Sequence, residues 1–95
     1  MVGLVFIYAD GCPACEAAKP ELMKFQMAHP KVAIQRIDLL EAKWPDKSWA
    51  PKATPTYLAV VDGKRPVGFE GAMRKDEIEQ FLRVAAPKLG VGSPV

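Results

Sequence analysis

Residues 3–15, with the sequence GLVFIYADGCPAC, decide the fold of this chain. The first seven are a continuous run of apolar, β-branched and aromatic side chains, which is typical of a strand buried on both faces. The pair Asp10-Gly11 favours a turn, and Pro13 suits the first position of a helix because its backbone needs no N–H there. The sequence therefore predicts a buried strand that turns directly into a helix, with Cys12 and Cys15 at the junction.

The hydrophobic pattern after this junction predicts a βαβ unit. Apolar residues recur at three- and four-residue steps from Ala14 to Phe25, so we expect the helix to extend to about residue 29, with Pro20 inside it. Residues 32–38 then alternate enough to form a second strand. Two strands joined in this way are parallel, with a right-handed crossover.

The second half of the chain predicts a hairpin and a final helix. Asp62-Gly63 is a strong hairpin turn signal, and Pro66 suits only a strand at the sheet edge. The predicted elements are a short helix at 39–43, strands at 56–61 and 65–70, and an amphipathic helix marked by Ile78, Phe81, Leu82 and Ala85. The expected fold class is α/β, with a four-stranded mixed sheet (βαβ, then ββα) flanked by helices.

Length and composition indicate one soluble domain with no nucleic-acid or membrane partner. The 95 residues are 49% hydrophobic and 25% charged, as in ordinary globular proteins. Thirteen Lys and Arg against eleven Asp and Glu give a net charge of +2, with no basic run. The longest apolar stretch, residues 4–9, is far shorter than the ~20 residues that cross a membrane. We expect a domain over residues 1–86 and a flexible tail over residues 87–95.

The cysteine content suits a reducing compartment. The N-terminus has no positive flank and no small-residue cleavage site, so it does not resemble an export signal. We therefore expect a cytoplasmic protein, in which two cysteines are more often catalytic than structural.

The spacing of Cys12 and Cys15 at a helix start favours thiol–disulfide exchange. The first N–H groups of a helix lack partners and carry partial positive charge, which favours a thiolate. Cys12 would be the N-cap, with its sulfur accepting from the amides of Ala14 and Cys15. Such sites lower a cysteine pKa from ~8.5 to roughly 3.5–7.5. Cys12 would then attack as the nucleophile, and the more buried Cys15 would resolve the mixed disulfide.

Three other uses of the two cysteines stay open. A zinc site needs four ligands, and the chain offers two cysteines and the single His29. A metal cluster shared between two subunits would need only one or two thiols from each chain. The cysteines could also be buried and inert, with an accidental spacing. We favour disulfide exchange over all three, with no bound metal or cofactor.

Four features in register, the cysteine motif among them, resemble the thioredoxin superfamily over about residues 3–86. The motif alone is a moderate signal, whereas the four together are specific. They are Cys12 and Cys15 at the strand-to-helix turn, Pro20 eight residues after Cys12 where thioredoxins have a helix-kinking proline, Thr54-Pro55-Thr56 opening the third strand where the family has a cis-proline, and Gly71-Ala72 with Lys75 before the last helix.

The resemblance implies a thioredoxin fold, a set of substrate-binding residues and a source of electrons. The bond before Pro55 would be cis, and the Thr54 backbone would face the sulfurs and pair with an extended substrate segment. Gly11 and Pro13, which flank Cys12, would also contact the substrate. Protein disulfides would be the substrates of a monomeric protein, and a thioredoxin-reductase-like flavoenzyme or glutathione would supply the electrons.

The chain also departs from the thioredoxin pattern. Only eleven residues precede Cys12, whereas full thioredoxins have an extra strand and helix there, so we expect a smaller sheet of glutaredoxin size. The motif Cys-Pro-x-Cys is also more typical of glutaredoxins than of thioredoxins. Gly11 stands where thioredoxins usually have tryptophan. Phe6 stands where they bury an acid that is thought to assist proton transfer at the second cysteine, and Asp10 or solvent could substitute for it.

Five further residues are secondary candidates. Tyr8 is expected to pack beneath the site. Trp44 and Trp49 could pack or form a docking surface, and Arg74 and Lys75 could hold the carboxylates of glutathione. The predicted function is a dithiol reductant of protein disulfides. The alternatives are a glutathione-linked glutaredoxin-like enzyme, a disulfide isomerase or oxidase, and a binding module without catalysis.

Overall fold

The computed structural model describes residues 1–95 as a mixed sheet with two α-helices. The sheet order is β2-β1-β3-β4, with β1 parallel to β2 and antiparallel to β3. This confirms the predicted α/β fold and its βαβ–ββα arrangement. In chain order the elements are β1 (Gly3–Tyr8), α1 (Pro13–Ala28), β2 (Ile34–Asp38), a single 3-10 turn (Lys47–Trp49), β3 (Thr56–Val60), β4 (Val67–Glu70) and α2 (Lys75–Lys88).

The two faces of the sheet are covered unequally. Successive strand residues point to opposite faces, so Leu4 and Phe6 of β1 face the helices, whereas Val5 and Ile7 face away from them. The side covered by α1 and α2, here called the helix face, holds a cluster of 15 buried residues. The opposite side, here called the loop face, holds a cluster of three buried residues, with Leu39 and Trp44 packed against it.

The two helices have the proline and acidic residues at the positions expected from the sequence. Pro13 occupies the first turn of α1, Pro20 lies inside that helix, and His29 is its C-cap. Asp76 lies in the first turn of α2, where its charge complements the helix dipole. Neither helix combines the length and the apolar character needed to cross a membrane.

The short helix predicted at residues 39–43 is wrong. Residues 39–41 form a turn, in which the Asp38 carboxylate accepts from the Leu40 N–H at 2.9 Å, and residues 42 and 43 have no regular structure. Pro45 disfavours a helical conformation at Trp44, so too few residues remain for a helix. The only helical turn in this segment is the 3-10 turn at Lys47–Trp49.

The hairpin turn lies where the sequence predicts it and β4 is an edge strand, but β4 begins later than the predicted residue 65 and leaves Pro66 outside it. The strand begins at Val67, one residue after Pro66, so the missing proline N–H falls outside the ladder. The Asp62-Gly63 turn has Gly63 at φ +77°, in the left-handed region that glycine adopts most readily.

The domain boundary predicted at residue 86 is too early. α2 continues through Pro87 to Lys88, and the Leu89 side chain is 3% exposed within the helix-face core. A proline in the last turn removes only one helical hydrogen bond. Burial of Leu89 contributes about 1.5–3 kcal/mol, which is enough to offset that loss.

Candidate active site

Cys12 and Cys15 form a disulfide at the start of α1, with their Cα atoms 5.2 Å apart. Cys12 is the N-cap, with an extended backbone, and its Sγ accepts a hydrogen bond from the Cys15 N–H at 3.1 Å. The expected second amide donor, Ala14, makes no such bond. Gly11, at φ +71°, completes the turn from β1 into the helix.

The two sulfurs differ in accessibility. Cys15 is fully buried, at 0% exposure, whereas Cys12 is partly exposed. Gly11 and Pro13, the neighbours of Cys12, are both exposed. An incoming disulfide can therefore reach Cys12 but not Cys15, which is the asymmetry that a nucleophile and a resolving thiol require.

The segment before β3 brings Thr54 against Cys12. The Thr54 hydroxyl donates to Cys12 Sγ at 3.4 Å, and the Thr54 carbonyl oxygen lies 3.6 Å from the same sulfur. The peptide bond between Thr54 and Pro55 is cis. The backbone of Thr54 therefore faces the sulfur, and its hydroxyl adds a contact that the sequence analysis missed. No sequence pattern fixes the direction of a threonine hydroxyl.

Two donors thus point at the sulfur of Cys12, one from its own helix and one from the other half of the chain. Hydrogen bonds to the ionised form of a group, together with a helix N-terminus, favour that form and lower its pKa. The nearby acids oppose this only weakly, because Asp10 is exposed and Glu16 pairs with Lys19 at 3.0 Å. The arrangement therefore suits a Cys12 thiolate.

The interior behind the cysteines carries no carboxylate on β1. Phe6 is 0% exposed, and its ring packs edge-on against Tyr57 at 5.3 Å. The Tyr57 hydroxyl accepts from the Met73 N–H at 3.1 Å, and burial raises the pKa of its phenol above the ordinary value of 10.0. Tyr57 is therefore neutral and ties the loop after β4 to the core. Sequence reasoning could not find this contact, because its acceptor and donor lie 16 residues apart.

The three aromatic candidates have structural partners. Tyr8 stacks on Phe6, with ring centroids 6.3 Å apart, and the Lys19 Nζ lies 5.4 Å from the Tyr8 ring centre. Trp44 packs against the loop-face cluster. The Trp49 ring lies 5.9 Å below the Arg65 guanidinium, at the edge of an open groove.

The basic residues proposed for glutathione already have carboxylate partners. Arg74 contacts Asp76 and Glu77 at 3.5 and 3.4 Å, and Lys75 pairs with Glu79 at 3.2 Å.

His29, the third possible metal ligand, lies at the opposite end of α1 from the cysteines. Its Nε2 lies 2.6 Å from a carboxylate oxygen of Glu79 on α2. No group of three or more His, Cys, Asp or Glu side chains is placed to hold a metal ion. His29 therefore links the end of α1 to α2.

Comparisons with known proteins agree with this geometry. The family model described as Thioredoxin matches residues 2–84. Thioredoxin H-type 1 of Nicotiana tabacum is 31% identical over 80 residues, which are 83% of this chain and 63% of that protein. A disulfide bond formation protein of Brevibacillus choshinensis is 24% identical over 82 residues, 84% of this chain and 70% of that protein. The X-ray structure of Fasciola hepatica thioredoxin superposes with a TM-score of 0.73 at 20% identity, over 88% of this chain and 80% of that one.

The matches with the relative and with the solved structure support different conclusions. The chain spans less than two thirds of the tobacco relative, at 63% of its length. The likeness to the solved structure, at 20% identity, supports the fold alone.

Proposed function

The chain belongs to the thioredoxin family, and from that premise we propose that it is a thiol–disulfide oxidoreductase that reduces protein disulfides. One observation carries the proposal. The sulfur of Cys12 is accessible at the head of α1, receives two hydrogen-bond donors, and is bonded to the buried Cys15. A nucleophile with a partner of this kind is what the reaction needs.

The reaction starts from the reduced pair and transfers two electrons. The Cys12 thiolate attacks one sulfur of a substrate disulfide, so that a mixed disulfide forms and the other substrate sulfur leaves as a thiolate. Cys15 gives its proton to solvent and, as a thiolate, attacks Cys12 Sγ. The mixed disulfide breaks, the second substrate sulfur leaves, and the Cys12–Cys15 disulfide forms. That final state is the one seen in the structure.

The residues around Cys12 support recognition of an extended substrate segment. Gly11 and Pro13 leave the sulfur open, and the Thr54 backbone lies beside it. Main-chain pairing with Thr54 would tolerate many substrate sequences, because it uses no side chain of the substrate. Gly11, Pro13, Thr54 and Pro55 thus form the proposed substrate-binding set.

The partners follow from the same proposal. A thioredoxin-reductase-like flavoenzyme, or glutathione, would return two electrons to the disulfide. The protein would act as a monomer in the cytoplasm, where the reduced pair is maintained. We favour the flavoenzyme, because glutathione would have to displace the carboxylates of α2 that already contact Arg74 and Lys75.

The direct test is insulin disulfide reduction driven by dithiothreitol, with wild type compared with Cys12→Ser and Cys15→Ser. Wild type is expected to accelerate the reaction, and both variants are expected to fall to the uncatalysed rate. Cys15→Ser should also trap the substrate as a mixed disulfide through Cys12, visible by mass spectrometry. A wild type no faster than its variants would favour a binding module.

A second candidate runs the same chemistry in the opposite direction. It is favoured by the name of the Brevibacillus relative, a disulfide bond formation protein. Thioredoxin-like sites span roughly −270 to −120 mV, so the potential of the pair decides the direction. We expect a value near the reducing end. A potential near −120 mV would instead make the protein a disulfide-forming oxidant.

A further inference from the structure

We propose that Glu70 is a positioning residue that holds Thr54 against the sulfur of Cys12. Glu70 is the last residue of β4 and lies opposite Thr56 of β3 in the strand register. Its Oε2 accepts from the backbone N–H groups of Lys52 and Ala53, at 2.9 and 3.1 Å. One carboxylate oxygen therefore binds two successive amides of the segment that leads into Thr54.

The segment is anchored at its end by Pro55, which is buried and whose carbonyl accepts from the Gly71 N–H at 2.8 Å, but it has few other contacts before that point. Residues 50–54 form no regular element, and Lys52 and Ala53 are exposed. Apart from Glu70, neither of their N–H groups has a partner within the protein. The Ala53 carbonyl accepts from the Thr56 hydroxyl at 2.7 Å. Hydrogen bonds to a carboxylate are stronger than those between neutral groups, so Glu70 is the main restraint on these two amides.

The position of this segment matters because the hydrogen bond from the Thr54 hydroxyl to Cys12 Sγ is long. Thr54 directly follows Ala53, and its hydroxyl reaches Cys12 Sγ at 3.4 Å. Hydrogen bonds weaken steeply with distance and misalignment, so a shift of about 1 Å would remove this donor. Loss of a donor to the thiolate disfavours the thiolate. Glu70 would thus act on Cys12 through Thr54 without touching the sulfur.

The expected sign separates this role from a direct charge effect. A carboxylate that acted on Cys12 through space would disfavour the thiolate, so its removal would make Cys12 more reactive. Removal of a positioning residue should make Cys12 less reactive. The other charged groups near the two sites, Lys52 and Arg65 in the groove and Asp10 and Glu16 beside the cysteines, are unchanged in every variant below.

The experiment is a double-mutant cycle on the pH dependence of Cys12 alkylation by iodoacetamide. The intact, reduced chain is alkylated and followed by mass spectrometry in wild type, Glu70→Ala, Thr54→Val and the double variant. Both single variants should shift the alkylation midpoint upward, with rates about three- to tenfold lower at a pH below the wild-type midpoint. Because Glu70 acts through Thr54, the double variant should be no slower than Thr54→Val.

Three further variants keep the cycle interpretable. Glu70→Gln retains an oxygen acceptor and should recover most of the wild-type rate. Glu70→Thr, whose side chain is too short to reach both amides but suits a strand, takes the place of Glu70→Ala in the cycle if that variant does not fold. Glu41→Ala removes another exposed carboxylate, from the turn after β2, and should leave the midpoint unchanged.

Three results would overturn the proposal: faster alkylation in Glu70→Ala, an unchanged midpoint in that variant, or additive effects in the double variant. The inference rests on the proposed function for its relevance, but the two can fail separately. If wild type reduces insulin and Glu70→Ala matches it in alkylation, only the inference is wrong. If wild type does not reduce insulin, the proposed function fails even where the cycle shows coupling.

Discussion

The helix face and the loop face of the sheet differ in how much they bury and in what covers them. The helix face is covered by two regular elements and holds 15 buried residues. The loop face holds three, beneath an irregular segment that contributes Leu39 and Trp44. Most of the hydrophobic stabilisation therefore lies on the helix face, since it grows with the apolar area removed from water.

The candidate active site lies at one end of the sheet and combines residues from α1, on the helix face, with a residue from the irregular segment before β3. Cys12 and Cys15 lie at the start of α1, which covers the helix face. Thr54 comes from the irregular segment before β3. The proposed nucleophile, Cys12, thus belongs to the well-packed helix face, and the proposed substrate contact, Thr54, belongs to the segment with fewer buried residues. Local stability in proteins follows contact density, so we expect the segment before β3 to open more readily than α1.

The largest effect is expected from a charge placed in the helix-face core. Phe6→Asp should destabilise the protein by about 3–5 kcal/mol, or prevent folding, because it removes a fully buried ring and buries a carboxylate. Phe69→Asp is the matched control. Phe69 is 45% exposed and its ring lies 6.3 Å from that of Phe81, so its substitution should cost less, about 1–2 kcal/mol. Urea unfolding of both variants tests the difference, and equal losses would contradict the burial of Phe6.

A matched pair of leucine truncations compares the two faces directly. Leu82→Ala, on the helix face, should cost about 3 kcal/mol, because α1 and the sheet restrict collapse around the cavity. Leu58→Ala, on the loop face, should cost about 2 kcal/mol or less, because the irregular segment above it can settle into the space. Chemical denaturation gives both values. A larger loss for Leu58→Ala would reverse the proposed ranking of the faces.

The smallest effect concerns the polar link between the helices. Hydrogen bonds from His29 and Lys75 lower the pKa of the Glu79 carboxyl below its ordinary value of 4.5. A carboxyl with a lowered pKa in the folded state stabilises the fold above its ordinary pKa, and this contribution is lost as the pH falls through the folded value. Glu79→Gln should lower the melting temperature at pH 7 by about a few degrees.

The same variant should lose less stability than wild type on acidification below about pH 4.5, because the titrating group is gone. Thermal unfolding between neutral pH and pH 3 measures both effects. Glu41→Gln, at an exposed position, is the control. A wild-type acid dependence retained in Glu79→Gln would show that the link does not contribute.

The sequence predicts the local features of the site well, because they depend on neighbours along the chain. The run of residues 3–9, the Asp10-Gly11 turn and Pro13 together specify where β1 ends and where Cys12 caps α1. The sheet order follows from the same patterns, since a βαβ unit and a hairpin allow few arrangements.

The remaining contacts join residues that are distant along the chain. His29 and Glu79 are 50 residues apart, and the bonds from Lys52 and Ala53 to Glu70 span 18 and 17 residues. Backbone amides are the donors to Glu70, so no pairing of side-chain types could indicate the contact. The wrong boundary at residue 86 has a similar cause, because Leu89 is ordered by tertiary packing rather than by helix propensity.

The most direct measurement is the pH titration of Cys12 reactivity in the reduced wild-type protein, by the rate of iodoacetamide alkylation. The two donors to the sulfur and the helix N-terminus predict a midpoint below about pH 7.5. A midpoint near 8.5, the value of an unperturbed thiol, would contradict the account, since neither helix nor threonine would then favour the thiolate.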